Sequence, residues 1–119
     1  MARGPALSAR RMRILARDGF SCVYCNARPP VDELTLDHVE PRVKGGDQSD
    51  GNLVACCKTC NELKAGQAAW AFLAADQERR DNFLVNATGV WPRLKRAIVE
   101  RYKIDNGVDY TSAEVICSA

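Results

Sequence analysis

Two pairs of cysteines and one histidine carry most of the chemistry that this sequence can offer. Cys22-x-x-Cys25 and Cys57-x-x-Cys60 are matched C-x2-C pairs, the spacing that lets four thiolates close a tetrahedral zinc site. Cys56 adjoins Cys57, so either could serve as a ligand. Only Cys57 makes a C-x2-C pair with Cys60, and Cys56 reads better as a small buried apolar residue. Cys117 stands alone near the C-terminus and reads as a free thiol. A thiol-based redox or zinc-sensing role is a further reading of the same cysteines. The single histidine, His38, follows Asp37 directly. A neutral imidazole with a pKa of about 6.5 can take a proton from water near pH 7. Asp37 and, further along, Asn61 offer the oxygen donors that hard cations such as Mg2+ or Mn2+ prefer.

These residues need a frame. Ser8 to Arg17 reads as a helix with Ser8 as its N-cap and Asp18-Gly19 as its stop. Leu34 to Val39 reads as a strand bounded by Pro30 and Pro41, and Asn52 to Ala55 as a second, shorter one. The run from Val43 to Gly51 between them is turn chemistry. A helix is expected from about Cys57, ending at Gly66. More helix is expected over Gln67 to Arg80, and after a break at Gly89 a last long helix opens near Pro92. Leu94, Ile98 and Tyr102 recur along that helix at the spacing of a packing stripe. The last residues, from Asn106, give no firm reading. Adjacent strand residues point to opposite faces, so Asp37 and His38 converge on one site only if the strand is distorted or ends there.

Taken in order, Asp37-His38-Val39-Glu40-Pro41-Arg42, then Asn52-Leu53-Val54, then Cys57-Lys58-Thr59-Cys60-Asn61-Glu62-Leu63-Lys64 closely resembles the HNH endonuclease signature of the zinc-binding subtype. The resemblance covers about Arg13 to Gly66, and its three signature positions map to His38, Asn52 and Asn61, a variant in which asparagine replaces the last histidine. It implies an α+β fold, a treble-clef-like ββα-metal core clamped by a zinc on four cysteines, with flanking N- and C-terminal helices. It also implies that Asp37 and Asn61 bind a catalytic divalent cation, that His38 is the general base, and that Asn52 braces the loop positioning it. The products would carry a 5′-phosphate and a 3′-hydroxyl. The alternative is a zinc-stabilised nucleic-acid-binding module without cleavage activity.

A chain of 119 residues suits a single domain, here with residues 13–66 as the core and 67–119 as a mainly helical extension. The net charge of +2 argues little for nucleic acid by itself, but its distribution is uneven. Before Asp18 stand Arg3, Arg10, Arg11, Arg13 and Arg17 and no acid. On a helix, Arg10, Arg13 and Arg17 would share one face and could track phosphates. Lys64, one turn beyond Asn61, is the first choice for a phosphate contact, with Lys44, Arg42 and Lys58 behind it, whereas Glu40 is expected to face solvent. DNA is the expected partner, and the C-terminal helices could carry a protein partner or a homodimer contact. No apolar run reaches the length needed for a membrane span, and nothing at the N-terminus reads as an export signal, so a cytoplasmic location is expected.

Overall fold

The computed structural model describes residues 8–42 and 47–106. Lys44 and Cys117 lie outside them. Helix α1 (Ala9–Arg17) starts where the Ser8 hydroxyl accepts the Arg11 amide, and it stops on Gly19, whose positive φ of 73° a residue without Cβ adopts at least cost. A knuckle carrying Cys22 and Cys25 follows. Strand β1 (Leu34–His38) then pairs antiparallel with β2 (Leu53–Cys57), with Leu34 opposite Cys57 and His38 opposite Leu53. Helix α2 (Lys58–Lys64) completes the ββα unit, and α3 (Ala69–Phe72), α4 (Gln77–Asn86) and α5 (Pro92–Asn106) follow. The architecture is the expected α+β one.

Every residue of β2 is buried, because its two faces meet two different sets of side chains. Ala55 joins Leu15 of α1 and Leu34 in a small cluster. Val54 and Cys56 face the main core, which runs from Cys22, Val23 and Tyr24 through Phe83 to Leu94 and Ile98. Strand β2 reaches two residues further than its sequence suggests. Cys57 is both its last residue and the N-cap of α2, because a cap keeps an extended backbone (φ −78°, ψ 164°) while its Sγ accepts the Cys60 amide. Asn52, expected in the strand, lies instead in the 3-10 turn Asp50–Asn52.

Two other elements differ from expectation. Ala65, rather than Gly66, takes the positive φ (51°) that ends α2. The alanine-rich stretch after it forms two helices, because Asp76 caps α4 by accepting the Arg79 amide and so begins a new helix there. In α5, Leu94 and Ile98 are buried in the main core and Tyr102 lies beneath the Arg80 guanidinium, 3.6 Å from its ring centroid, as the stripe predicts. Among the described residues no helix is long and apolar enough to cross a membrane.

Candidate metal centre and catalytic cleft

The two knuckles bring Cys22, Cys25, Cys57 and Cys60 together, with all four sulfurs within 4.8 Å of one another and Cys25 and Cys57 3.7 Å apart. Zinc bound to thiolates at about 2.3 Å needs sulfurs roughly 3.8 Å apart, so the donor set and its size fit the ion. Backbone amides already point at the sulfurs, from Tyr24 to Cys22 and from Cys60 to Cys57, each at 3.4 Å. Hydrogen bonds from Cys56 and Cys60 pull the Cys22 thiol far below its ordinary value. Cys56 is fully buried, bonds to the Cys57 carbonyl, and is pushed up by its hydrogen bond to Cys22 and by burial, so it remains a thiol.

Nothing in the residue spacing signals that α4 guards this centre. Arg79 donates from Nε to the Cys60 sulfur at 3.2 Å while Nη1 pairs with Asp76. A guanidinium there offsets part of the charge that four thiolates would gather around a divalent ion. Asn82 and Asn86 hold the carbonyls of Tyr24 and Val23 in the first knuckle. An arginine and two asparagines on a polar helix form no recognisable motif, because their partners lie in a distant segment.

A cleft of about 410 Å3 is lined by residues that include Asp37, His38, Arg42, Asn61 and Lys64. Strand β1 ends at His38, which resolves the expected conflict of faces: Asp37 and the terminal His38 border the same cleft. The Asn61 amide nitrogen donates to Thr35 Oγ1 at 3.3 Å, which leaves its carbonyl oxygen as the atom for a cation. His38 Nε2 is buried without a hydrogen-bond partner. An orphaned imidazole nitrogen on a residue that shares its cleft with a carboxylate and a side-chain amide fits a site for a cation and water.

Asp37 is only 7% exposed, and both of its oxygens are engaged. The buried Tyr24 hydroxyl donates to Oδ2 at 2.8 Å and the Lys64 ammonium to Oδ1 at 3.2 Å. Burial pushes the Asp37 carboxyl above its ordinary value, while Lys64 and Tyr24 pull against that shift. Burial, together with the charge of Asp37, also raises the Tyr24 phenol well above its ordinary value, so it acts as a hydrogen-bond donor. Tyr24 escaped sequence reasoning because it sits inside a C-x2-C pair, where any residue would serve as spacer.

Asn52 is fully buried and ties the two arms of the intervening loop together. Its Oδ1 accepts the Glu40 amide at 2.8 Å, and its Nδ2 donates to the carbonyls of Glu40 and Asp47.

Several expected phosphate contacts are engaged within the chain instead. Lys64 is 2% exposed and spends its ammonium on Asp37 and on the His38 carbonyl, because α2 packs that side of the helix against β1. Arg10 and Arg13 clasp Asp50, and Arg17 holds Asp18 and the carbonyls of Asp50 and Leu53. The arginine face of α1 therefore docks the helix onto the loop before β2. Glu40, expected in solvent, has a mostly buried side chain that pairs with Arg93. Arg42 and Lys58 remain exposed, Arg42 at the cleft and Lys58 at the start of α2.

Residues 22–73 match the family model of the HNH endonucleases. The chain is 27% identical over 123 residues to the CRISPR-associated endonuclease Cas9 of Corynebacterium diphtheriae, an alignment covering 89% of this chain and 11% of that protein. It is 36% identical over 64 residues to the Cas9 of Actinomyces naeslundii, covering 51% of this chain and 6% of that protein. The crystal structure of the Type II-C Cas9 enzyme from Actinomyces naeslundii shares its fold, with a TM-score of 0.59 and 23% identity over 87% of this chain and 12% of that one. The chain thus spans about a tenth or less of the length of the curated relatives it matches. The matched segment, just under half of the chain, holds both cysteine pairs together with Asp37, His38, Asn52 and Asn61, and over that segment the chain is similar to the HNH endonucleases, which are nucleases.

Proposed function

We propose that the chain is a metal-dependent DNA endonuclease in which His38 is the general base. The observation that carries this reading is the buried, unpartnered Nε2 of the only histidine, in a cleft that also holds Asp37 and Asn61. Asp37 and Asn61 would hold a divalent cation, Mg2+ or Mn2+, which supplies the polarisation of the phosphodiester and the stabilisation of the leaving oxygen. His38 Nε2 takes a proton from water as the water oxygen bonds to phosphorus. The phosphorus bond to the 3′ oxygen then breaks and the departing oxygen takes a proton from a solvent water, leaving a 5′-phosphate and a 3′-hydroxyl. Lys64 and Tyr24 keep Asp37 ionised and oriented. Asn52 fixes the loop that follows His38. The zinc on Cys22, Cys25, Cys57 and Cys60 takes no part in the reaction and fixes the start of α2, from which Asn61 projects. Exposed Arg42, with Lys58 and Lys44, supplies cations for the DNA backbone, and contacts of this kind read phosphate rather than sequence.

The test is plasmid cleavage with Mg2+ or Mn2+, comparing the wild-type protein with His38→Ala. Loss of a general base should slow cleavage by about 10² to 10⁴, while helix content and zinc content remain unchanged. Wild-type protein that binds plasmid and never nicks it under any divalent cation would establish the non-cleaving, zinc-stabilised binding module instead.

A further inference from the structure

The loop that carries His38 toward Asn52 is held from outside as well as from within. Each carbonyl from Asp50 to Leu53 is fixed by a donor from elsewhere in the chain. Arg17 Nη1 reaches Asp50 O at 3.0 Å, the Trp91 amide reaches Gly51 O at 3.0 Å, the Val39 amide reaches Asn52 O at 2.9 Å, and Arg17 Nη2 reaches Leu53 O at 2.6 Å. A Cβ on Gly51 would lie 2.2 Å from Trp91 Nε1, so the indole fills the space that a side chain there would take. On the opposite arm, Asn52 clasps the Glu40 backbone, and Arg93 Nη2 pairs with the Glu40 carboxylate at 3.1 Å. The Arg93 guanidinium also lies 5.5 Å from the centre of the Trp91 ring. Trp91 and Arg93 thus grip both arms of one loop from the start of α5, beyond the segment that the family model matches.

We infer that Arg93, backed by Trp91, is a positioning residue for His38, acting through Glu40; this rests on the nuclease reading. Arg93 is 55% exposed and Glu40 14%, and a partly exposed pair adds little to folding stability. Its effect falls on geometry, to which catalysis is far more sensitive, since a shift of about 1 Å can cost about 10² in rate.

The experiment compares Arg93→Ala, Glu40→Ala, the double variant and Arg93→Lys in steady-state cleavage with Mn2+, alongside thermal melting. The imidazole NMR signals of His38 provide a second readout, which the presence of a single histidine makes unambiguous. We expect kcat to fall about tenfold in each single variant, with KM within about twofold of the wild type. The double variant should be no worse than either single one. The His38 signals should move in both, melting should stay near the wild-type value, and Arg93→Lys should recover part of the rate. Should Arg93→Ala fail to fold, Arg93→Gln takes its place.

A raised KM with unchanged kcat in Arg93→Ala alone would make Arg93 a DNA contact and overturn the inference. So would unmoved His38 signals and an unchanged rate. If the wild-type protein cleaves nothing, the nuclease reading fails, while the His38 signals still decide whether Arg93 positions the ring.

Discussion

Asp37 is a carboxyl group buried with a counter-charge and a hydroxyl donor at its two oxygens. Moving a lone carboxylate out of water costs several kcal/mol, and here the Lys64 ammonium and the Tyr24 hydroxyl offset that cost. Removing one partner of such a pair should therefore be far more damaging than the pair is stabilising. Lys64→Ala is expected to lower unfolding free energy by about 3–5 kcal/mol, measured by urea denaturation of the zinc-loaded protein. A loss below about 1 kcal/mol would show that Asp37 is protonated and needs no counter-charge. The types of these residues were legible in the sequence, as was their grouping by motif order. The direction of Lys64 was not. Its place one turn beyond Asn61 puts it near the site, but whether it turns inward to Asp37 or outward to phosphate depends on where β1 lies beneath α2. Tyr24 was invisible for a similar reason, since its bond to Asp37 is made only once the first knuckle packs against β1.

At the scale of elements, α1 was read correctly as a helix and incompletely as a surface. Its limits are written locally, in the Ser8 cap and the Asp18-Gly19 stop. The partner of its arginines is not local, because Asp50 lies 40 positions from Arg10 and 37 from Arg13. An arginine face without nearby acids looks like a phosphate track until folding delivers the carboxylate. Hydrogen bonds from Arg13 hold the Asp50 carboxyl below its ordinary value, with Arg10 adding to the shift. A lowered folded-state value means that the stabilising contribution is present above the unfolded value of about 3.9 and is lost as pH falls through the folded one. Asp50→Asn should thus melt below the wild-type protein at neutral pH, and the gap should close at pH values under the ordinary aspartate range. A gap that persists undiminished in acid would mean that the side-chain amide itself disturbs the turn and that the charge is immaterial. The same long-range logic explains why the start of α5 could be read from Pro92 and its packing stripe, while the hold of Trp91 and Arg93 on the loop at Gly51 and Glu40 could not.

For the whole molecule, the decisive fact is that the cysteine knuckles and the C-terminal helices share one core. Cys22, Val23, Tyr24, Cys57 and Cys60 belong to the same buried cluster as Phe83, Leu94 and Ile98, and Trp70 and Trp91 pack against it. The cysteine spacing announced a zinc clamp, but nothing in the sequence said that the helical extension would close over it, with Arg79 bonded to Cys60 and Asn82 and Asn86 bonded to the first knuckle. A structural zinc site contributes on the order of 10 kcal/mol, as large as the whole stability of a typical domain at about 5–15 kcal/mol. Removing the ion should therefore unfold more than the two knuckles. Titration with a strong zinc chelator is expected to abolish helical circular dichroism and to shift the Trp70 and Trp91 emission in one coincident transition. Cys25→Ser should give the same unfolded spectra without chelator. If the tryptophan environment and most of the helicity survived while zinc was released, the C-terminal helices would hold a core of their own. The metal would then stabilise only the ββα unit, since a single cooperative core cannot lose its clamp and keep its packing.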